Sequence, residues 1–219
     1  MKFINFESYS ARMRIKKPKK GYEKLTEEKA RIVAHLIGDG AHYKTNHDYV
    51  MKYEVRDEEL LNQFSEDLFK VYGLKVSKHA NKSGFTDKPI YFVRLRSKLV
   101  FEDLAGYATY FSKDWRVKDQ ILNADLLIRR EFLRAIYDDE GSVKSKYEIA
   151  LYSINREGLE QIKEMLKEFH IDSCIKSGFG ANRRVYGLMV KDFISFNDKI
   201  GFNLRRKRDK LRGIIKSHL

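Results

Sequence analysis

Residues 28–40, EKARIVAHLIGDG, open with good helix formers. They place apolar residues at Ile32, Val33, Leu36 and Ile37, and close on a small residue, an acid and a glycine. This pattern predicts a helix that ends in Asp39, with Gly40 as a left-handed cap. An acid in the last turn faces the negative end of the helix dipole, at a cost of roughly 0.3–1 kcal/mol. A divalent cation would offset that cost. Taken singly, an Asp-Gly pair would be no more than a turn dipeptide.

The pair is not single. Residues 130–141, REFLRAIYDDEG, read as a second helix with Phe132, Leu133, Ile136 and Tyr137 apolar, again ending in an acid and a glycine, Glu140 and Gly141. The two terminal acids lie 140 − 39 = 101 residues apart, a spacing that fits duplication of half the chain.

The nonapeptides IVAHLIGDG (residues 32–40) and LRAIYDDEG (residues 133–141) resemble the paired motifs of the LAGLIDADG homing endonucleases. The first copy matches closely. The second departs at Arg134 and Asp139, where small residues are usual, and ends in Glu140 rather than aspartate. The resemblance implies that the final acid of each motif, Asp39 and Glu140, binds metal shared between two active sites. The carbonyls of the preceding residues, Gly38 and Asp139, would assist. It also implies double-strand cleavage with short 3′ overhangs at a long recognition site.

A chain of 219 residues accommodates two similar halves packed together. Apolar content of 42% excludes a disordered chain, and a formal charge of +13 with pI near 9.6 points to a polyanionic partner, nucleic acid first. Cys174 is the single cysteine, which excludes an internal disulfide and a cysteine-based zinc site. No apolar run suits a membrane helix and the N-terminus lacks a secretory core, so the expectation is a soluble, intracellular, cytoplasmic protein with no membrane partner. Three glutamines, one cysteine and abundant Lys and Glu lean towards a thermophilic source.

Taken in order, residues 1–23 form a basic extension. Seven basic residues and one acid fall within residues 1–20, giving a net of +6. Residues 24–126 and 127–219 are the two halves. In the first, residues 42–56 read as a hairpin, 58–72 as an amphipathic helix ended by Gly73, and 74–78 with 90–96 as a second hairpin across a long loop. Helices follow at 98–107 and 119–125. The second half repeats the order, with a hairpin at 143–154, a helix at 157–169, a hairpin from 172–177 and 184–190, and helices at 193–200 and 206–216. The fold class is therefore α+β, with two pseudo-symmetric αββαββα halves. Each half is an antiparallel four-stranded sheet backed by helices, and the two together form a DNA-binding saddle.

The face of each sheet left free by the helices carries Lys44, Lys52, Arg94 and Arg96 in the first half, and Lys144, Lys146, Arg183 and Arg184 in the second, as candidate DNA contacts. Arg94 and Arg96 share one side of their strand, and a two-stranded ribbon fits the major groove. Residues 115–122, WRVKDQIL, are matched by 204–211, LRRKRDKL, which pairs Arg116 with Arg205 and Lys118 with Lys207. Arg116 and Arg205 are candidate DNA contacts. Lys118, Lys207 and Lys144 are candidates for positive charge near a scissile phosphate, with simple phosphate contact as the alternative role.

If the signature helices pack side by side, allowed by Ala34, Gly38 and Ala135, their terminal acids meet and repel one another without a counter-ion. Arg134 and Asp139 must then point away or find partners. Two carboxylates and phosphate oxygens suit Mg²⁺ better than Zn²⁺, with Mn²⁺ able to substitute. His35 reads as an interfacial side chain, and the other histidines lack metal-binding spacing.

The resulting expectation is a monomeric, Mg²⁺-dependent, site-specific endonuclease acting on double-stranded DNA at a non-palindromic target. The rivals are an RNA-binding intron maturase, with intron RNA as partner, and a non-enzymatic DNA-binding regulator on the same scaffold. Splicing blocks at the ends are not seen, so an intron-encoded or free-standing setting is expected rather than an intein.

Overall fold

Thr26 starts the first signature helix: its hydroxyl accepts the Lys29 amide at 3.3 Å, and Glu27 and Glu28 lie at the positive end of α1 (Glu27–Ile37). In the computed structural model of the chain, residues 18–82, 89–144 and 148–218 are described. Ile32, Val33, Ala34 and Leu36 of α1 are fully buried. The helix stops at Ile37, two residues before Asp39, and the chain turns directly into β1 (Gly40–Lys44).

Gly40 is therefore not a left-handed cap, and it does not take a positive φ. What requires a glycine there is close approach, since a Cβ at Gly40 would lie 2.4 Å from the Leu36 Cα. The matching Gly141 obeys the same constraint, its backbone extended (φ −77°, ψ 147°) and its missing Cβ 2.3 Å from the Tyr137 carbonyl oxygen. In both motifs the glycine lets the strand leave tightly against the last turn of its own helix.

After β1 come β2 (Tyr49–Val55), α2 (Glu58–Tyr72), β3 (Lys78–Lys82), β4 (Pro89–Arg96) and α3 (Lys98–Ala105). A short ribbon of β5 (Ala108–Thr109) and β6 (Arg116–Val117) and a single turn, α4 (Asp119–Leu122), follow. The second half runs through α5 (Leu126–Glu140), β7 (Gly141–Lys144), β8 (Glu148–Ser153), α6 (Arg156–Glu168), β9 (Ser173–Phe179), β10 (Val185–Val190), α7 (Phe193–Lys199) and α8 (Arg205–His218). The two sheets share one topology, β1-β2-β4-β3 and β7-β8-β10-β9, and every pairing is antiparallel.

One strand departs from expectation. The third strand occupies residues 78–82 rather than 74–78. Leu74 and Val76 are apolar for another reason: Gly73 ends α2 in the left-handed conformation (φ 70°), and Leu74 folds back into the core. The true strand, KHANK, lies at the sheet edge, and its described side chains are exposed, so it needs no apolar alternation. The ribbon β5–β6 is absent from the sequence reading. Of the basic extension, residues 1–17 lie outside the described residues. Its last part packs on the body, with the Lys19 amide donating to the Tyr72 carbonyl at 2.9 Å and the Tyr22 ring against that of Tyr72.

α1 and α5 pack against one another at the centre. Buried Ala34 and Ala135 allow the approach, and a Cβ at Gly38 would meet the Asp139 carboxylate at 2.7 Å. The seam is also ionic. Arg31 of α1 holds Asp67 of α2 through two bonds of 2.7 and 2.8 Å and reaches Glu131 of α5 at 2.9 Å; Glu131 also pairs with Arg134 at 2.7 Å. Arg134, the large residue in the second motif, points away from the seam centre and donates to the Ile200 carbonyl at 2.7 Å.

Candidate functional site

Three consecutive acids end α5, and the structure gives each a different task. Asp138 is buried and accepts the amides of Asn203 (3.1 Å) and Leu204 (3.0 Å), fixing the approach to α8. Burial pushes its carboxyl up to about 7. The Asp139 side chain is fully buried at the seam, where it accepts from the Tyr53 hydroxyl at 2.6 Å and lies 3.0 Å from His35 Nδ1. Burial opposes the charge on His35, but the carboxylate beside it raises the imidazole above its ordinary value. That leaves Glu140 as the acid of the site, opposite Asp39 at the end of α1.

Burial pushes Glu140 up to about 7, reinforced by the negative charges of Asp39 and Asp139, and Asp39 up to about 6, reinforced by Asp139. Asp39 keeps an open edge to solvent, whereas Glu140 is half-buried. Glu140 thus lies in the field of Asp39, the acid of the other half. Among the described residues no group of three or more His, Cys, Asp or Glu side chains is arranged to hold a metal ion. A divalent cation here would have two carboxylates from the protein, with its remaining ligands from the Gly38 carbonyl, water or phosphate.

The matched lysines do not behave alike. Lys207 is buried at the end of α5, its ammonium donating to the carbonyls of Tyr137 (3.1 Å), Asp138 (2.5 Å) and Asp139 (3.1 Å). It neutralises the negative end of that helix and lowers the carboxyls of both Asp39 and Glu140. It also occupies the Asp139 carbonyl that the family resemblance assigns to metal. Lys118 is exposed and donates instead to the Ala105 carbonyl at 2.6 Å. Lys144 lies on the free face of the second sheet, its ammonium 4.9 Å from the Tyr152 ring centre.

Arg116 and Arg205 are drawn into contacts between the halves. Arg116 donates to Asn155 at 3.1 Å and pairs with Glu157, while the Arg205 amide donates to Glu59 at 3.2 Å and the neighbouring Arg206 grips Asp57 through two bonds of 2.7 and 2.9 Å. Each half thus clasps the start of the other half's second helix. The Arg116 guanidinium is thereby engaged between the halves, whereas Arg205 makes its contact through the main chain and keeps its side chain exposed beside Asp209.

Two pockets flank the paired acids, in equivalent places of the two halves. The one beside Asp39, about 270 Å³, is polar and includes Asp57, Arg56 and Arg206; the one beside Glu140, about 280 Å³, is walled by Trp115, Ile136, Leu151 and Ile154. The sequence reading passed over Arg56 and Arg206. Arg206 stands against Val117 in the matched stretches, and the search for repeated residues selects against a position that differs.

On the first sheet Lys52 and Arg94 face each other in register on the free side, with Arg96 two residues further on and paired to Asp48 at 3.3 Å. Lys44 has the parity of His42 and Met51, which face the helices, and its ammonium rests 5.1 Å from the Tyr49 ring centre, so it is not on that side. Arg183 and Arg184 are exposed in the loop between β9 and β10, Arg183 with positive φ of 53°. Lys146 lies outside the described residues.

Two like halves, each a four-stranded antiparallel sheet hung on a central helix with an acid at or just past its end, have the fold of the LAGLIDADG endonucleases, and residues 128–201 match the LAGLIDADG-like domain. The homing endonuclease I-DmoI, in a structure with DNA and Mn, aligns with a TM-score of 0.60 and 19% identity over 81% of this chain and 97% of that one. The homing endonuclease I-WcaI, bound to its DNA recognition sequence, aligns at 0.63 and 14% identity over 87% and 90% of the two chains. The replication factor C small subunit of Methanocaldococcus jannaschii is 29% identical over 198 residues, 87% of this chain but 10% of that protein. The chain spans 8% of elongation factor 2 of Methanopyrus kandleri, at 31% identity over 46% of this chain, so it covers a tenth or less of these two relatives. No described helix is long and apolar enough to cross a membrane.

Proposed function

We propose that the protein is a site-specific endonuclease that cuts both strands of DNA at a long, non-palindromic target, with Mg²⁺ as its metal and Mn²⁺ able to replace it. The observation that carries this reading is the meeting of Asp39 and Glu140, one acid from each half, both raised above the carboxylate range by burial and by neighbouring negative charge. Acids held at such cost ask for a cation. Asp39 and Glu140 would hold the metal, which when bound supplies Lewis-acid stabilisation and an activated water for phosphodiester hydrolysis. Lys207 sets how strongly the two carboxylates repel one another, because its ammonium lowers both. Arg56, exposed beside Asp39, would meet phosphate oxygens, while Arg206 next to it is held by Asp57. The free faces of the sheets supply the DNA contacts, Lys52, Arg94 and Arg96 on the first and Lys144 on the second. With both halves in one chain, the working unit is a monomer, divided near residues 24–126 and 127–219.

The test is incubation with Mg²⁺ and a plasmid carrying the uninterrupted host gene. Linear product is expected from the parent protein. Asp39→Asn and Glu140→Gln should each abolish double-strand cutting, by about 100-fold or more, while DNA binding survives. Cutting by the double variant at the parent rate would overturn the assignment. Specific binding without cutting by the parent protein would favour a DNA-binding regulator.

A further inference from the structure

The two sheets are alike in topology and unlike in chemistry on the side that the helices leave free. On the first, Lys52 and Arg94 are direct cross-strand neighbours and Arg96 follows on the same side of β4. Both arginines are exposed, and Arg94 has no ion pair among the described residues. His79 of β3 stacks on Phe92 at 5.1 Å between ring centres, and His79, Phe92, Arg94 and Arg96 line one shallow depression of about 280 Å³.

In the second sheet the register Gly141↔Leu151 matches Gly40↔Tyr53, and Leu151↔Leu188 matches Tyr53↔Val93. Ala150 therefore stands where the first sheet has Lys52, and Met189 where it has Arg94; both are buried. At the Phe92 position is Gly187, covered by Phe179, Met189 and Tyr152. The described strands of this sheet bring only Lys144 and Lys176 to that side, and Lys176 lies 3.9 Å from Glu148. Guanidinium groups on the strands thus belong to one half alone.

A guanidinium that enters the major groove finds its best partner in the O6 and N7 acceptors of guanine, whereas an ammonium is a point charge that serves phosphate as well as base. We propose that Arg94 and Arg96 read guanines in one half of the target, and that the strands of the second sheet, whose half keeps its exposed guanidinium groups Arg183 and Arg184 in the β9–β10 loop, read the other with little base discrimination. The target is thus lopsided in composition as well as sequence, with its guanine-bearing, tightly specified half on the first sheet. This rests on the DNA-binding reading above.

The experiment is selection of the full chain, without divalent metal, on a randomised DNA duplex library, repeated with Arg94→Ala and Arg94→Lys. A cleaving reagent tethered to Cys174, the single cysteine and exposed on β9, marks which half of the recovered site lies against the second sheet. The expected site has guanines fixed in the half remote from Cys174 and weak preferences near it. Arg94→Ala and Arg94→Lys should both relax one or two positions of the fixed half, by roughly 10-fold in base preference, with the rest unchanged. A fixed half beside Cys174, equal constraint on both halves, or uniform weakening by Arg94→Ala would overturn the proposal. Recovery of no enriched sequence would instead overturn the site-specific DNA reading beneath it.

Discussion

Asp39, Asp138 and Glu140 hold their protons to about 6, 7 and 7, and His35 is raised as well. For the three carboxyls the folded state binds more protons than the unfolded one between their ordinary values near 4 and those raised values, so stability falls as pH rises across that window. The His35 contribution has the same sign: it is present in full below 6.5 and is lost as pH rises through the raised value. Asp57 and Asp192, lowered by hydrogen bonds to Arg206 and to the Ser195 amide, act oppositely and lose their contribution only in stronger acid. The melting temperature of the metal-free protein is therefore expected to peak near pH 5 and to decline towards pH 8. Glu140→Gln should flatten the decline, and added Mg²⁺ should raise the melting temperature more at pH 8 than at pH 5. A melting temperature that climbs steadily from pH 5 to 8 without metal would contradict the sign. The site's two acids were legible in the sequence because duplication points at them. Asp139 was not: the sequence shows that it must find a partner, but only the fold brings Tyr53 from β2 and His35 from α1 to meet it.

Among the elements, helices were the readable part, since α2 and α6 bury one face each and their apolar spacing records it. The edge strand β3 was unreadable because exposed residues carry no such record, and nearby Leu74 and Val76 offered a false one. The end of α5 is where an element depends on a single side chain. Replacing Lys207 by Met should remove an ammonium from three carbonyls and cost about 1–3 kcal/mol. It should also move the titrations of Asp39 and Glu140 upward, visible as a shift of the pH–stability curve to higher pH. An unchanged curve would show that Lys207 does not act on them. At the other junction, Gly40→Ala puts a methyl group against the backbone of Leu36, 2.4 Å away, where nothing flexible can yield. Denaturant unfolding should show a loss of roughly 2 kcal/mol or more, with Gly141→Ala behaving alike.

At the scale of the molecule, the described residues join the halves at the α1–α5 seam and at two outer clasps, Arg116 on Asn155 and Glu157, and Arg206 on Asp57. The clasps are partly exposed, so Arg206→Ala alone should cost no more than about 1 kcal/mol in unfolding free energy. The seam differs in kind, because polar groups of one half meet partners in the other that the repeat does not mirror. Arg31 needs the carboxylate of Glu131, and Asp139 needs His35 and Tyr53, whereas the equivalent positions in the opposite sense are Gly38, Ile136 and Leu151. Two copies of the second half set face to face would bury Asp139 against Asp139 with no imidazole between them; two copies of the first would leave each Arg31 facing Ala30 where it now meets Glu131. If the chain were severed between α4 and α5, each fragment would accept the other and refuse its own kind. Neither fragment alone could form a twofold homodimer without substitutions at the seam.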